Sequence, residues 1–391
     1  MNKVLILLGI VGSMLFVTPL LLADEEEGVR VQYKVGDGLS VGDGSNFVHL
    51  QGRVQGRYTY LAVDGGSDTS TFSVPRAELQ IDGFTLERTL KFFFQMNMAS
   101  TNAGRTTTVC APPACATTTT VVSNTTGLAV LNDYYIDWVP TPLFGIQAGQ
   151  FKVPFLIQQL TSSTKQQFVD RSILSTSSFF DLGRDIGGNI HGALFQEHLR
   201  YAVFVLNGDG VNNFNRNDRA MMTGVRLEVP LLGTYEYTES DTSHSLAHNL
   251  GFGLAYDFNE GSSALQAGTI AAFTKTHHGT VDIGYKYRGF SVQTAAVASR
   301  TLEGASLTNW GYNGQIGVFV VPKIVEVAGR AAGTLLTGVT NRYEYVAGFN
   351  FFPKGIGHGI KFQTDYSFLM NSQGTPNQND HQFRVAVNVV F

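Results

Sequence analysis

From Phe47 onward the chain alternates polar and apolar residues with a period of two. Phe47, His49, Gln51, Arg53, Gln55, Arg57 and Thr59 fall on one face of an extended segment, and Val48, Leu50, Gly52, Val54, Gly56, Tyr58 and Tyr60 on the other. The same split returns where Thr89, Lys91, Phe93, Gln95 and Asn97 alternate with Leu90, Phe92, Phe94, Met96 and Met98. It returns again where Asp282, Gly284, Lys286 and Arg288 alternate with Val281, Ile283, Tyr285 and Tyr287. Strands follow from this period, not helices. A soluble sandwich alternates too, so the period alone does not say which face meets water.

Two features favour a transmembrane barrel. Aromatics gather near the strand ends of the apolar sets, as in Tyr58 and Tyr60 or Tyr343, Tyr345, Phe349 and Phe351, which is how interfacial girdles read. The polar sets mix Arg, Lys, Glu, Gln and Asn, too polar for a dry core and suited to a wet lumen. Strands are expected at 46–61, 72–84, 88–98, 128–139, 143–152, 185–196, 199–207, 218–229, 248–258, 279–288, 290–300, 310–320, 323–336, 342–352, 359–371 and 380–391, sixteen in all. Short turns then alternate with long connections at 99–127, 153–184, 208–217, 259–278 and 301–309, as a barrel of this type requires. Segment 230–247 is the exception, a long connection at the short-turn end. Segment 264–276 also reads as strand, but counting it makes the number odd, so parity assigns it to a loop.

Composition narrows the choices. Charged residues are 15% of the 391, aromatics 12%, and Gly contributes 43, a profile of strands and tight turns. Met1 to Ala23 reads as a signal peptide: one Lys, an uncharged stretch from Val4 to Leu22, then Asp24-Glu25-Glu26-Glu27. Residues 24–45 then form a periplasmic segment ahead of a barrel at 46–391. Without the leader, 26 basic residues face 31 acidic ones, a charge of −5. No basic run exceeds two residues, which excludes a nucleic-acid partner. Cys110 and Cys115 lie in one Thr-rich stretch without other metal-ligating residues at suitable spacing, so a local disulfide is expected. Asn124 opens an acceptor pattern for glycosylation that matches at chance level.

Five motifs in order then carry a resemblance: Leu50-Gln51-Gly52-Arg53-Val54-Gln55, Val74-Pro75-Arg76-Ala77-Glu78-Leu79, Gly149-Gln150-Phe151-Lys152-Val153-Pro154-Phe155, Asp170-Arg171-Ser172 and Gly183-Arg184-Asp185-Ile186-Gly187. Together they span most of the first half, and the chain resembles the phosphate-selective porin O and P family of bacterial outer membranes. The resemblance implies an all-β, sixteen-stranded antiparallel barrel, a homotrimer, and a constriction loop at about 153–184 folded into the lumen. It implies passive diffusion of small hydrophilic solutes and arginines at the narrowest point. Arg53 and Arg76 match such arginines, but Pro75 stands where a second one belongs, and Pro carries neither charge nor donor. A weak anion preference is therefore expected in place of tight phosphate binding.

Around the loop, Lys152, Lys165, Arg171 and Arg184 face Asp170 and Asp181, a balance of +2 on an acidic chain. With Arg53, Arg57, Arg76 and Lys91 on the preceding strands, these eight residues are the expected pore lining, and Lys361, far along the chain, is expected to lie away from it. Two readings of the arginines stay open. If the first hairpin pairs symmetrically, Arg76 sits near Arg57, and either an anion lies between them or Glu78 and Asp82 neutralise the set in a salt-bridge ladder. His277-His278 is a candidate metal pair, but adjacent strand residues point apart, so a solvated loop is preferred. No GxSxG elbow or HExxH pair is present, so neither an enzyme nor a cofactor is expected. Outer-membrane lipid and small anions are the expected partners. The alternative function is a structural anchor or adhesin whose lumen is plugged.

Overall fold

The computed structural model describes residues 28–99, 109–111, 114–116, 130–177, 179–213, 221–262, 273–302, 307–353 and 357–391. Sixteen strands among the described residues close into one antiparallel barrel. They are β1 (Phe47–Ala62), β2 (Thr69–Thr85), β3 (Leu90–Asn97), β4 (Val130–Thr141), β5 (Phe144–Lys152), β6 (Arg184–Leu194), β7 (Leu199–Leu206) and β8 (Met222–Leu232). The second half adds β9 (Asn249–Ser262), β10 (Phe273–Tyr287), β11 (Phe290–Thr301), β12 (Leu307–Val321), β13 (Val325–Leu335), β14 (Arg342–Phe351), β15 (Ile360–Met370) and β16 (Asn379–Val390). Every strand pairs with its sequence neighbours, and β16 closes on β1 from His381 opposite Ala62 to Val390 opposite Arg53. Closure leaves no open barrel edge, which a wall in lipid requires because no water is there to satisfy backbone groups.

The faces are inverted relative to a soluble protein. Val54 is 40% exposed on the outer face, whereas its neighbour Arg53 is 3% exposed on the inner one. Ile136, Trp138, Ile316, Val318 and Phe349 are exposed on the same outer band. Lipid is the solvent for these residues, and the polar sets line the lumen.

Of the segment 264–276 assigned to a loop, residues 264–272 lie outside the described residues, and Phe273 to Thr276 are strand, with Phe273 opposite Ser262, which corrects the assignment there. Residues 273–276 extend β10 beyond the expected start. His277 and His278 therefore lie on a strand, correcting the loop assignment. His277 Nδ1 is 2.6 Å from the Tyr256 hydroxyl on the outer face, and His278 is buried against Asp257 at 2.9 Å on the inner one.

Two segments flank or enter the barrel unannounced by the period. Ahead of β1, Arg30–Lys34 and Gly38–Gly42 form a hairpin whose second strand pairs with the start of β1. Its turn tucks under the lumen, where the Asp37 carbonyl accepts a bond from Gln51 Nε2 at 2.7 Å and lies 2.8 Å from His49 Nε2. The second is the exceptional connection between β8 and β9. It enters the barrel from the short-turn end, burying Tyr235, Glu239, Ser240 and Asp241.

Residues 1–27, which hold the expected leader, lie outside the described residues, as does Asn124. Val109–Ala111 and Ala114–Ala116 pair as a short hairpin that sets Cys110 opposite Cys115 along the backbone. The side chains of both cysteines lie outside the described ones.

Candidate functional site

The connection between β5 and β6 folds into the lumen and makes the constriction. Its apolar residues Val153, Phe155, Leu156, Ile157, Leu174 and Phe180 are at most 1% exposed and pack on the inward Phe204, Leu206, Met222, Ala255, Ala295 and Val297 of the wall. Full burial of such a side chain is worth roughly 1.5–3 kcal/mol. The protein's apolar core thus sits inside the barrel, beneath one side of the loop.

Inward glycines make the seats. A Cβ on Gly311 would strike Leu174 and Phe180, one on Gly317 would strike Gln167, and one on Gly348 would meet Phe168. The far wall supplies the polar anchors. Asp365 accepts from Val169 N at 2.9 Å and Glu344 from Ile173 N at 2.8 Å, while Asn350 Nδ2 donates to the Gln167 carbonyl at 2.8 Å. The guanidinium of Arg330 lies 4.5 Å from the centre of the Phe168 ring and donates to the Asp170 carbonyl at 2.9 Å. From below, Glu239 of the β8–β9 connection accepts from Gln167 N at 2.6 Å, and its own N–H donates to the Lys165 carbonyl at 3.1 Å.

With the loop fixed there, the open path runs along β1 to β6. Along it lies a cavity of 660 Å³ walled by Pro75, Phe93, Val390 and a set of charged side chains. Arg76, Lys152, Lys165, Arg171 and Arg184 face Asp37, Glu78 and Asp133 there, a balance of +2.

The hairpin of β1 and β2 does not pair symmetrically. A bulge between Gln55 and Arg57 sets Gln55 opposite Arg76 and Arg57 opposite Ser73. Arg57 and Arg76 converge all the same, because Asp170 of the loop sits between them at 3.0 and 3.4 Å. Neither open reading is met as stated: the bridging group is a carboxylate, but it comes from the loop. Glu78 pairs with Arg53 at 3.2 Å, whereas Asp82 serves His49 at 3.0 Å and no arginine. Burial works against the Asp170 charge, yet Arg76, Arg384 and Arg57 outweigh it and hold the carboxyl below its usual 3.8.

Lys152 and Arg184 pair directly across β5 and β6 at the mouth of the loop. Arg184 is neutralised by Asp133 at 2.7 Å. Lys152 and Arg171 instead meet carbonyls: both donate to Thr161 O, at 3.4 and 3.2 Å. Lys165 is exposed and makes no side-chain ion pair among the described residues. Lys91 is the outlier of the expected set. It lies toward the short-turn end, on a second cavity of 570 Å³ whose charged lining balances to zero.

Lys361 corrects an argument made from chain distance. It is fully buried at the constriction, donating to the carbonyls of Thr164 at 3.1 Å and Gln166 at 2.5 Å. Lys361→Ala should orphan two buried acceptors and lower stability by about 1–3 kcal/mol, read as a fall in melting temperature in detergent. An unchanged Tm would show that the loop holds without it. The second half also carries a ladder the sequence reading missed: Arg226 with Asp282, Arg330 with Glu344 and Arg384 with Asp365, at 2.9, 2.7 and 2.7 Å. The inward parity of these positions was the available signal.

Near the cavity, burial pushes the His358 imidazole well below its usual 6.5, and Lys361, Lys165 and Lys286 add to the effect. Asp170, with its value depressed, keeps its stabilising charge above 3.8 and loses it only as pH falls through the lower folded value. Neither Asp170 nor His358 should therefore put a step in ion selectivity near pH 6. A step in the reversal potential centred near pH 6 would show that His358 titrates.

Comparison with known proteins agrees with this architecture. The profile of the phosphate-selective porin O and P family matches residues 48–315. A search of curated proteins finds no sequence match. Among solved structures, the anion-selective porin of Comamonas acidovorans aligns with a TM-score of 0.60 at 12% identity, over 88% of this chain and all of that one. OprB of Pseudomonas putida aligns with a TM-score of 0.59 at 10% identity, over 88% of this chain and 94% of its own. The outer membrane channel DcaP of Acinetobacter baumannii gives 0.55 at 10% identity, over 90% and 99%. With the family profile covering more than half of the chain and the barrel closed around a wet lumen, the protein belongs to the phosphate-selective porin O and P family and is a diffusion channel of the bacterial outer membrane.

Proposed function

We propose that the pore passes small hydrophilic solutes with a weak preference for anions. The observation that carries this reading is the +2 formal balance of the constriction cavity, where Lys152, Lys165 and Arg171 have no carboxylate in salt-bridge contact among the described residues. Local charge governs selectivity at a constriction, since charges beyond roughly 8 Å are screened at physiological salt. The net charge of the chain points the other way and matters less. The Comamonas porin, described as anion-selective, gives the same expectation by likeness. No catalytic step belongs to this reading.

The test is the reversal potential of the purified protein in a planar bilayer under a salt gradient, with and without phosphate. An anion-to-cation permeability ratio modestly above one, little changed by phosphate, is expected. A cation-selective pore refutes the reading, and absence of current favours an anchor with a plugged lumen.

Assembly as a homotrimer is proposed on the likeness to Vibrio cholerae OmpT, one structure of which is a trimer form. The hairpin at Arg30–Lys34 and Gly38–Gly42 is proposed to sit at the periplasmic mouth, as the short turns do. Cys110 and Cys115 are proposed to form a disulfide, supported by their backbone pairing. Because so short a loop removes little chain entropy, changing both to Ser should leave the Tm almost unchanged. A large drop would mean the hairpin is packed.

A further inference from the structure

The cavity that holds the cations also has an apolar wall. Phe93 occupies a lumen-facing position on β3, between Lys91 and Gln95, where the alternation otherwise places polar residues. Its ring borders the 660 Å³ cavity and also a void of 220 Å³ on the side toward Lys91. That void shares Lys91 and Asp137 with the 570 Å³ cavity, so Phe93 stands where the upper and lower halves of the path meet. Tyr135 stacks on the ring at 5.3 Å with planes 5° apart, and Phe151 meets Tyr135 edge-on at 6.3 Å. The ring is thus fixed by Tyr135 on one face and borders the cavity. Pro75 and Val390 extend the apolar surface.

The cations across from it are not arranged for a multiply charged oxyanion. A tight phosphate site needs guanidinium forks free for bidentate donation. Arg53, Arg57, Arg76 and Arg184 are each already paired to a carboxylate, and Arg171 is spent on the carbonyls of Gln158 and Thr161. Glu78 and Asp133 stand on the same wall, so no purely cationic pocket encloses an oxyanion there. What remains is a modest positive field beside a fixed aromatic face.

Resting on the anion reading above, we propose that the solutes this pore favours are organic monoanions carrying a flat apolar group, of the aromatic carboxylate type, in preference to inorganic phosphate. The carboxylate is drawn by Lys152, Lys165 and Arg171 while the ring slides over Phe93. An aromatic contact of this kind is worth roughly 2- to 10-fold in residence.

The experiment is single-channel recording in chloride with added benzoate, cyclohexanecarboxylate, acetate or phosphate. Benzoate is expected to block chloride current at several-fold lower concentration than the other three. Phe93→Ala should weaken that block about 2- to 10-fold with the chloride-to-sodium permeability ratio unchanged. Phe93→Leu, which keeps the volume and loses the flat face, should show an intermediate loss and covers the case in which the alanine variant does not fold. Block by cyclohexanecarboxylate or acetate equal to that of benzoate overturns the proposal, as does benzoate block untouched by both variants. A wild-type pore that prefers cations instead refutes the anion reading itself, so the two failures are distinct.

Discussion

Exchange of Asp170 for asparagine should convert a weakly anion-preferring pore into a strongly anion-preferring one that phosphate blocks. Asp170 is the shared partner of Arg57 and Arg76, and its amide analogue keeps the shape and an acceptor while removing the charge. Two unit charges about 4 Å apart interact by about 1 kcal/mol in bulk water and more where water is scarce. Even the lower figure favours a passing anion, and disfavours a cation, by about fivefold each, so the permeability ratio should rise roughly 25-fold. Two guanidinium forks are released at once, which is what bidentate capture of phosphate requires. Loop seating should survive, because the Asp170 backbone carbonyl and Val169 N keep their partners on the far wall. A ratio unchanged from wild type would mean that Arg57 and Arg76 do not face the ion path.

Asp170 also marks where sequence reading stops. The barrel was legible because lipid outside and water inside impose opposite demands on alternate residues; β7, for instance, was expected at 199–207 and runs Leu199–Leu206. The cationic residues were legible as types and faces. Their partners were not. Arg76 is charged in any fold, but that it meets Asp170 depends on a one-residue bulge at Gln55 and on how a loop of some thirty residues crosses the lumen. Period-two arguments say nothing about a segment with no period, so the sequence marks the β8–β9 connection as an exception without placing it in the lumen. Lys361 fails for a related reason: distance along the chain is a poor measure of distance inside a closed barrel.

The second large effect is expected from that misfit. Replacing residues 234–247 by a two-residue Asn-Gly turn should leave the wall intact, since Leu232 and Leu250 are already paired at its base. The lumen would lose Tyr235, whose hydroxyl donates to Asp282 at 2.7 Å, with Gly251 shaped to admit the ring. It would also lose the Glu239 contacts to Gln167 and Lys165, and the bond from Ser240 Oγ to Glu326 at 2.8 Å. At about 1 kcal/mol per hydrogen bond and about 2 for the buried aromatic, the constriction loop should lose on the order of 2 kcal/mol through Glu239 and up to about 2 more through the packing of Tyr235. Single-channel conductance should rise and the open current become noisy, as the loop leaves its seat for part of the time. A quiet current of wild-type size would show that the far wall holds the loop unaided.

The far wall imposes an order of events on the making of this pore. The bonds that seat the loop join residues well separated along the chain: Ile173 to Glu344 spans 171 residues, Gln167 to Asn350 spans 183, and Val169 to Asp365 spans 196. Their partners lie on β14 and β15, among the last strands made, and contacts of such long range are slow to form because chain entropy is lost before they reward it. Until those strands join the wall, the loop has only the apolar part of its seat, on β7 to β11, and the contacts of Glu239. Narrowing of the channel is thus a late event that coincides with closure of β16 on β1, and a barrel trapped before that step would be a wide, leaky hole in the membrane. The constriction doubles as a seal on completed assembly.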